Sequence, residues 1–369
     1  MILTINSGST SVKLAAFERA AGTTLRRLQD AQHSGRDLTP AQCLKGFIRA
    51  LPARKVAVVA HRVVHGGERY TRPLILDDQA IAALDALQDL APLHNPPAMR
   101  WIESAREVFG AGTLHIAVFD TAFFARLPSV AKHYAVPESM GTSVGVQRYG
   151  FHGIAHESMW RRWSELNPQL AGGGRLISLQ LGGGCSIAVS DRGCPLDVSM
   201  GFSPLEGLMM ATRAGDIDPA VIPYFEKRLG VSSQEIVTRL NKESGLLGVS
   251  GSTGDVSALL EETSARARLA IDLYCYRARK YLGAYLAVAG GCDGIVFGGG
   301  VGEHVPAVRE GILKGMEWAG IELDSALNAA ARGGEARLSK NLARIQLRVL
   351  PPDEAASLAR AALGVTKSD

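Results

Sequence analysis

The pattern that most constrains this chain is a short apolar run ending in a cluster of glycine and hydroxyl residues. It occurs at Ile2–Asn6 before Ser7-Gly-Ser-Thr10, at Leu176–Leu181 before Gly182-Gly-Gly184, and at Gly294–Phe297 before Gly298-Gly-Gly-Val-Gly302. Runs of this kind favour strands, and glycine serves turns where the backbone must approach another group closely. The first two clusters lead into Ser11–Phe17 and Cys185–Val189, so each reads as a β-hairpin with a small-residue tip. In both, a serine (Ser11, Ser186) follows a glycine (Gly8, Gly183) by three positions. This weak internal repeat predicts two similar halves, in line with 369 residues at about 150 per domain. The 41 glycines, about one residue in nine against a usual ~7%, reflect this clustering and not low complexity.

Between and after the hairpins, helical and strand patterns alternate. Lys55–Val64, His115–Phe119, Gly294–Phe297 and Arg344–Leu350 read as strands. Helices are expected over Asp77–Leu90, Ser264–Ala289 (stopped by Gly290-Gly291), Pro306–Trp318 and about Asp353–Leu363. Such alternation implies an α/β fold with mixed sheets. No linker rich in Pro, Ser or Gly separates the halves, so two domains closely apposed around a cleft are expected.

Charge and cysteine content narrow the function. The net charge of +4 lacks dense basic clusters, which argues against a nucleic-acid partner. Five cysteines with no CxxC suit reduced thiols. The start has no basic stretch before its apolar residues, and the longest uncharged apolar stretch, Tyr281–Cys292, is too short to span a bilayer. A soluble cytoplasmic protein without a membrane partner is the expectation.

Several segments hold side chains suited to anion chemistry. In Ile5–Lys13 the hairpin tip offers donors to phosphate oxygens and Lys13 adds charge, although the spacing is not that of a P-loop; a polar turn is the plainer reading. The Gly298–Glu303 turn joins a strand to a helix, a place where an anion meets a helix N-terminus. Val305 stands where a dinucleotide fingerprint needs its third glycine, which counts against an oxidoreductase. Three such turns together favour nucleotide binding. Arg213, in the sparsely charged Ser199–Pro219 segment, suits either a clamp on carboxylate or phosphate or a salt bridge to Asp216. Arg62, within His61-Arg-Val-Val-His-Gly-Gly67, needs an anionic partner, either ligand or protein carboxylate. His152 and His156 have i, i+4 spacing that would suit zinc on a helix, but the glutamate of a zincin is absent and Gly153 weakens the helix. A histidine donating to a reacting oxygen, or a core histidine, are the other readings. Asp120 ends a buried strand, either as a functional carboxylate or as a helix cap.

In this order the segments INSGSTSVK, HRVVHGG, APLHNPP, FDTAF, RYGFHGIAH, SMGFSPLEGLMMATRAGDIDP, NKESGLLGVSG, GGGVGEH and PPDEAA resemble the acetate kinase family nearly end to end. These are short-chain acyl kinases of the sugar kinase/actin/Hsp70 superfamily. The resemblance implies two duplicated ribonuclease H-like (actin-like ATPase) domains with mixed sheets flanking a cleft, usually in a homodimer. The N-terminal acyl-kinase domain would span 1–150 with 355–369 returning, and the nucleotide-binding domain 151–354. The implied reaction is reversible, Mg²⁺-dependent transfer of the ATP γ-phosphoryl group to acetate, giving acetyl phosphate, with Mn²⁺ as a substitute metal. Carried over by position, Asn6 and Glu354 would help hold the metal. Asp120 would orient or activate the acyl carboxylate, Arg62 would bind it, and His152 and Arg213 would stabilise the phosphoryl group in flight. Val64, Leu93, Phe151 and Pro204 match the acyl pocket. Lys13, Gln180, Leu181, Gly182, Gly183, Gly184, Asp255, Val256, Ser257, Gly300, Val301, Gly302, Glu303 and His304 would serve ATP.

Departures from the family pattern fall on the donor side. The usual His-Leu-Gly-Asn-Gly turn is Gln180-Leu-Gly-Gly-Gly184, and the usual Asp-Phe-Arg is Asp255-Val-Ser257. His304 replaces an asparagine and Pro352 a threonine. The alternatives are therefore a propionate kinase, since one methylene changes discrimination by only ~1–3 kcal/mol, or an acetate kinase using a donor such as pyrophosphate. A catalytically idle nucleotide-binding regulator is a further alternative, opposed by the intact set Arg62, Asp120, His152, Arg213 and Glu354.

Overall fold

A computed structural model describes residues 1–8, 11–20, 24–34, 39–52, 55–88, 91 and 95–366. The chain divides into two compact units, Met1–Ala125 with Asp353–Asp369, and Arg126–Pro352.

The first unit is built on a six-stranded sheet. Its strands are β1 (Ile2–Ser7), β2 (Ser11–Arg19), β3 (Leu25–Ser34), β4 (Val58–Val63), β5 (Leu74–Ile75) and β6 (Leu114–Phe119), in spatial order β3-β2-β1-β4-β6-β5. β1, β2 and β3 are antiparallel neighbours, β1, β4 and β6 run parallel, and β5 closes the edge antiparallel to β6. The first expected hairpin is present as β1 and β2, while Ser9 and Thr10 of its tip lie outside the described residues. Every residue of β1 is buried, as expected for a strand covered on both faces. Leu3 and Ile5 join a core with Leu44, Phe47 and Ala105 from the helices Pro40–Arg49 and Asn95–Phe109. The C-terminal helix Glu354–Val365, capped by Asp353, packs on β1 and β4.

The second unit repeats this plan. Its strands are β7 (Arg175–Leu181), β8 (Cys185–Asp191), β9 (Cys194–Val198), β10 (Gly294–Gly298), β11 (Ala336–Arg337) and β12 (Gln346–Val349). Their order from β9 is β9-β8-β7-β10-β12-β11, the counterpart of β3-β2-β1-β4-β6-β5 strand for strand. The pairing senses also agree: antiparallel through β9-β8-β7, parallel through β7-β10-β12, and antiparallel at β11. The helix Gly153–Leu166 packs on β7, where Trp163 joins Leu176, Val296 and Leu350 in a core. Gly294 is required there, because a Cβ would stand 2.3 Å from Cη2 of Trp163. The long helix Ala265–Ala289, capped by Ser264 and ended by left-handed Gly290, packs on β8 and β9.

Several details differ from the sequence expectations, beginning with the expected helix Asp77–Leu90, which ends at Asp85. The expected helix Pro306–Trp318 ends at Leu313, and left-handed Gly315 separates it from a 3-10 turn at Glu317–Ala319. The Gly298–Glu303 segment is itself a short helix, Gly299–His304, and not an open turn. Residues 126–150 belong to the second compact unit. Arg148 donates to Glu206 at 2.7 Å, Tyr149 N donates to the Gly201 carbonyl at 3.0 Å, and Tyr134 bonds the Glu206 carboxylate, so this stretch is tied to residues 201–206.

Candidate active site

In the first unit the parallel strands β1, β4 and β6 bring Asn6, Arg62 and Asp120 to their C-terminal ends, where α/β sheets place ligands. Asp120 follows the last residue of β6, and its N–H donates to the Val63 carbonyl at 3.1 Å. Arg62 Nε donates to Asp120 Oδ1 at 3.2 Å and Oδ2 at 3.1 Å, and Nη2 reaches Oδ2 at 2.5 Å. The partner that the half-buried Arg62 needs is thus a protein carboxylate. The same guanidinium donates through Nη1 to Asn6 Oδ1 at 3.2 Å, and Asn6 Nδ2 donates to Glu354 Oε2 at 2.7 Å. Burial weakens the hold of Arg62 on its proton, but Asp120 and Glu354 outweigh that, and its pKa is raised above the usual arginine value. Four of the proposed residues therefore form one hydrogen-bonded chain, Glu354–Asn6–Arg62–Asp120.

The exit of β4 is clamped beside them. Asn95 accepts from His65 N and donates to the His65 carbonyl, both at 3.1 Å, and Thr121 Oγ1 accepts from Gly66 N at 3.2 Å. His65 Nδ1 accepts from Gly67 N at 2.9 Å, so a neutral ring carries its hydrogen on Nε2. Val64 is buried next to this clamp, and Leu93 lies outside the described residues. Sequence reasoning overlooked Asn95 and Thr121 as supports, although each sits inside a segment that carries the resemblance.

In the second unit His152, the Gly182–Gly184 turn and Arg213 meet. A Cβ on Gly184 would lie 3.4 Å from His152 Cε1 and 3.5 Å from both His152 Nε2 and Arg213 Nη1. Arg213 Nη1 donates to the Pro204 carbonyl at 3.2 Å, and burial lowers its pKa against the opposing pull of Cys185. Asp216, the salt-bridge partner considered for Arg213, accepts from Gly207 N at 2.8 Å and from Tyr281 Oη at 2.7 Å. Glu206 is held by Arg148 and Tyr134. These bonds fix the Ser199–Pro219 segment at several points. His152 caps the helix Gly153–Leu166 with φ of 58°, a left-handed conformation uncommon outside glycine. Phe151 beside it is buried. The zinc spacing of His152 and His156 is used otherwise: His152 Nδ1 at 2.9 Å and His156 Nε2 at 2.7 Å share Ser186 Oγ. No group of three metal-type side chains occurs among the described residues.

The remaining donor-side candidates are placed as follows. Lys13 is exposed on β2, opposite Asn6. Gln180 and Leu181 end β7, and Gln180 Oε1 is buried with no hydrogen-bond partner among the described residues. Asp255 caps the helix Val256–Glu261 by accepting from Ala258 N at 2.8 Å, Val256 is buried, and Ser257 is exposed. Gly300, Val301, Gly302, Glu303 and His304 form the short helix after β10. Arg309, missed in the sequence, is fully buried beneath it and donates to the carbonyls of Gly302 (2.8 Å), Glu303 (3.1 Å), Asn328 (2.9 Å) and Ala331 (2.7 Å).

Comparison with known proteins agrees with this architecture. The Acetokinase family model matches residues 40–360. An acetate kinase of Solibacter usitatus is 44% identical over 309 residues, covering 83% of this chain and 75% of the relative. That of Bacillus subtilis is 36% identical over 394 aligned positions and covers 99% of both chains. Among solved structures, an acetate kinase of Porphyromonas gingivalis matches with TM-score 0.88 at 33% identity, covering 99% of both chains. A propionate kinase of Francisella tularensis matches with TM-score 0.87 at 30% identity, covering 98% of this chain and 99% of that one. No described helix is long and apolar enough to cross a membrane. With family model, full-length relatives and fold in agreement, the chain belongs to the acetokinase family, phosphotransferases whose acceptor is a carboxyl group.

Proposed function

We propose that the chain is an acetate kinase that reversibly transfers the γ-phosphoryl group of ATP to acetate, giving acetyl phosphate and ADP. The observation that carries this is the convergence of His152 and Arg213 on Gly184. A side-chain-free turn flanked by a guanidinium and an imidazole suits a phosphoryl group, whose transfer needs positioning and positive charge around its equatorial oxygens.

In this reading the first unit serves the acceptor and the second the donor. Arg62, locked by Asp120, presents its guanidinium to the acetate carboxylate, with buried Val64 of the same unit beside it. Acetate is already an anion, so Asp120 removes no proton; its work is to hold and orient Arg62. A carboxylate oxygen attacks the γ-phosphorus in line, the bond from phosphorus to the bridging β,γ-oxygen breaks, and ADP leaves with that electron pair. His152 and Arg213 donate to the equatorial oxygens as charge spreads over them. Asn6 and Glu354 would offer Mg²⁺ one amide oxygen and one carboxylate, the few protein oxygens this ion takes, with Asn6 Oδ1 turning from Arg62 Nη1 to do so. When bound, the ion neutralises charge on the phosphates. The matched strand orders of the two units support a duplicated ribonuclease H-like fold. A homodimer in the cytoplasm is part of the same proposal.

Two observations favour variants. Likeness to a propionate kinase at TM-score 0.87 keeps propionate in view as acceptor. Burial of Val256 removes it as a base-stacking group, and Gly183 and Ser257 offer no side-chain charge, so the donor contacts differ from the family pattern. The test is a hydroxamate assay for acyl phosphate with acetate, propionate and butyrate crossed against ATP, GTP and pyrophosphate under Mg²⁺. Acetate with ATP is expected to give the highest kcat/KM. No product from any pair would overturn the kinase proposal, and a preference for another pair would reassign acceptor or donor.

A further inference from the structure

A hydrogen-bonded chain of hydroxyl and imidazole groups behind the proposed reacting set ends on His152. Ser178 Oγ lies 2.7 Å from His156 Nδ1, His156 Nε2 lies 2.7 Å from Ser186 Oγ, and Ser186 Oγ lies 2.9 Å from His152 Nδ1. Ser178, His156 and Ser186 are 5%, 1% and 0% exposed. Secondary structure enforces the alignment. Ser178 and Ser186 sit on paired strands β7 and β8, and His156 is one helical turn beyond His152. At the far side of its ring His152 turns its Cε1–Nε2 edge toward Gly184, with a Cβ there 3.4 Å from Cε1 and 3.5 Å from Nε2. The left-handed backbone of His152 adds to the picture, since such strain persists where surrounding contacts over-determine it.

We propose that Ser186 is a positioning residue for His152: it grips the ring at Nδ1 so that Nε2 faces the Gly182–Gly184 turn, with His156 and Ser178 backing that grip. The proposal rests on the reading of His152 as a donor to the phosphoryl group.

Burial keeps His156 neutral, so its ring has one N–H and one lone pair. When Ser186 donates to His152 Nδ1, a neutral His152 carries its hydrogen on Nε2. His156 then donates from Nε2 to Ser186, and Ser178 donates to His156 Nδ1. If His152 gains a proton at Nδ1, Ser186 accepts it as a hydrogen bond and turns an O–H to His156. The protons balance when one enters at Ser178: Ser178 gives its hydrogen to His156 Nδ1, His156 Nε2 gives its hydrogen to Ser186 Oγ, Ser186 gives its own to His152 Nδ1, and Ser178 then accepts from His156 Nδ1–H. In both states the chain is intact and Nε2–H still faces the glycine turn. A serine at this position therefore lets His152 be neutral or charged without losing its orientation.

The experiment compares Ser186→Ala, Ser186→Thr and Ser178→Ala in the full-length chain. It reads kcat and KM for acetate and ATP together with ¹⁵N spectra of the labelled imidazoles. By analogy with groups that orient functional histidines, Ser186→Ala is expected to lower kcat about 10- to 100-fold while the acetate KM stays within about twofold. Ser186→Thr restores a hydroxyl and recovers most of the turnover, and Ser178→Ala has a smaller effect than Ser186→Ala. The His152 ¹⁵N shifts in Ser186→Ala move from the Nε2–H pattern toward a tautomer mixture. Wild-type kcat with unmoved His152 shifts in Ser186→Ala would overturn the proposal, as would equal impairment of Ser186→Thr and Ser186→Ala. A wild-type chain that forms no acyl phosphate defeats only the kinase reading, because the ¹⁵N shifts report the Ser186 grip without turnover.

Discussion

Acid is expected to destabilise each unit through histidines that folding buries. His156 in the second unit is 1% exposed and burial pulls its pKa down to about 3; His65 in the first is 0% exposed with a pKa of about 4. Both values lie below the unfolded value of about 6.5, so the unfolded chain binds the proton first. The stability that follows from keeping these rings neutral is fully present above pH 6.5 and is lost as pH falls toward the folded values. For one histidine shifted this far, proton linkage removes about 0.8 kcal/mol at pH 6 and about 2 kcal/mol at pH 5, relative to pH 8. The second unit thus loses about that amount through His156. The first loses more, because the stacked pair His61 and His115, with rings hydrogen-bonded at 3.0 Å, is shifted in the same direction. Urea unfolding at pH 8, 6 and 5, followed by tryptophan fluorescence, measures this. Trp163 is fully buried in the second unit, and Trp101 reports on the first. The His156→Gln variant should show a second-unit slope reduced by about one proton. Stability independent of pH between 8 and 5, or a His156→Gln slope equal to wild type, would refute the reasoning.

Other perturbations test the two clusters separately. Arg62→Ala removes the guanidinium facing the buried Asp120 carboxylate, so the first unit should lose about 3–5 kcal/mol in urea unfolding along with acetate-dependent turnover. A loss below about 1 kcal/mol would mean that the pair behaves as if solvated. Gly184→Ala introduces a methyl at ordinary contact distance from His152 and Arg213, so stability should change by no more than about 0.5 kcal/mol. Its kcat should nevertheless fall about tenfold or more, since the methyl occupies the proposed phosphoryl seat. Unchanged kcat there would remove Gly184 from the site.

The sequence by itself determined the local elements and the class of chemistry. Alternating apolar runs and glycine clusters encode hairpins, and the Ser264 and Asp353 caps and Gly290 stop encode helix ends, because each depends on neighbours a few residues away. The segments proposed for the site stand out for the same reason: Arg62, Asp120, His152 and Arg213 stand in short runs with distinctive composition. Supporting residues were harder to find. Asn95 and Arg309 look like ordinary polar residues until the fold buries them against particular carbonyls and amides. Only the tertiary structure decided that the anion facing Arg62 is Asp120, 58 positions away, and that His152 and His156 converge on one serine hydroxyl. It alone also assigned residues 126–150 to the second unit. These outcomes depend on strand register and helix placement across distant parts of the chain, and no local pattern of residue types carries that information.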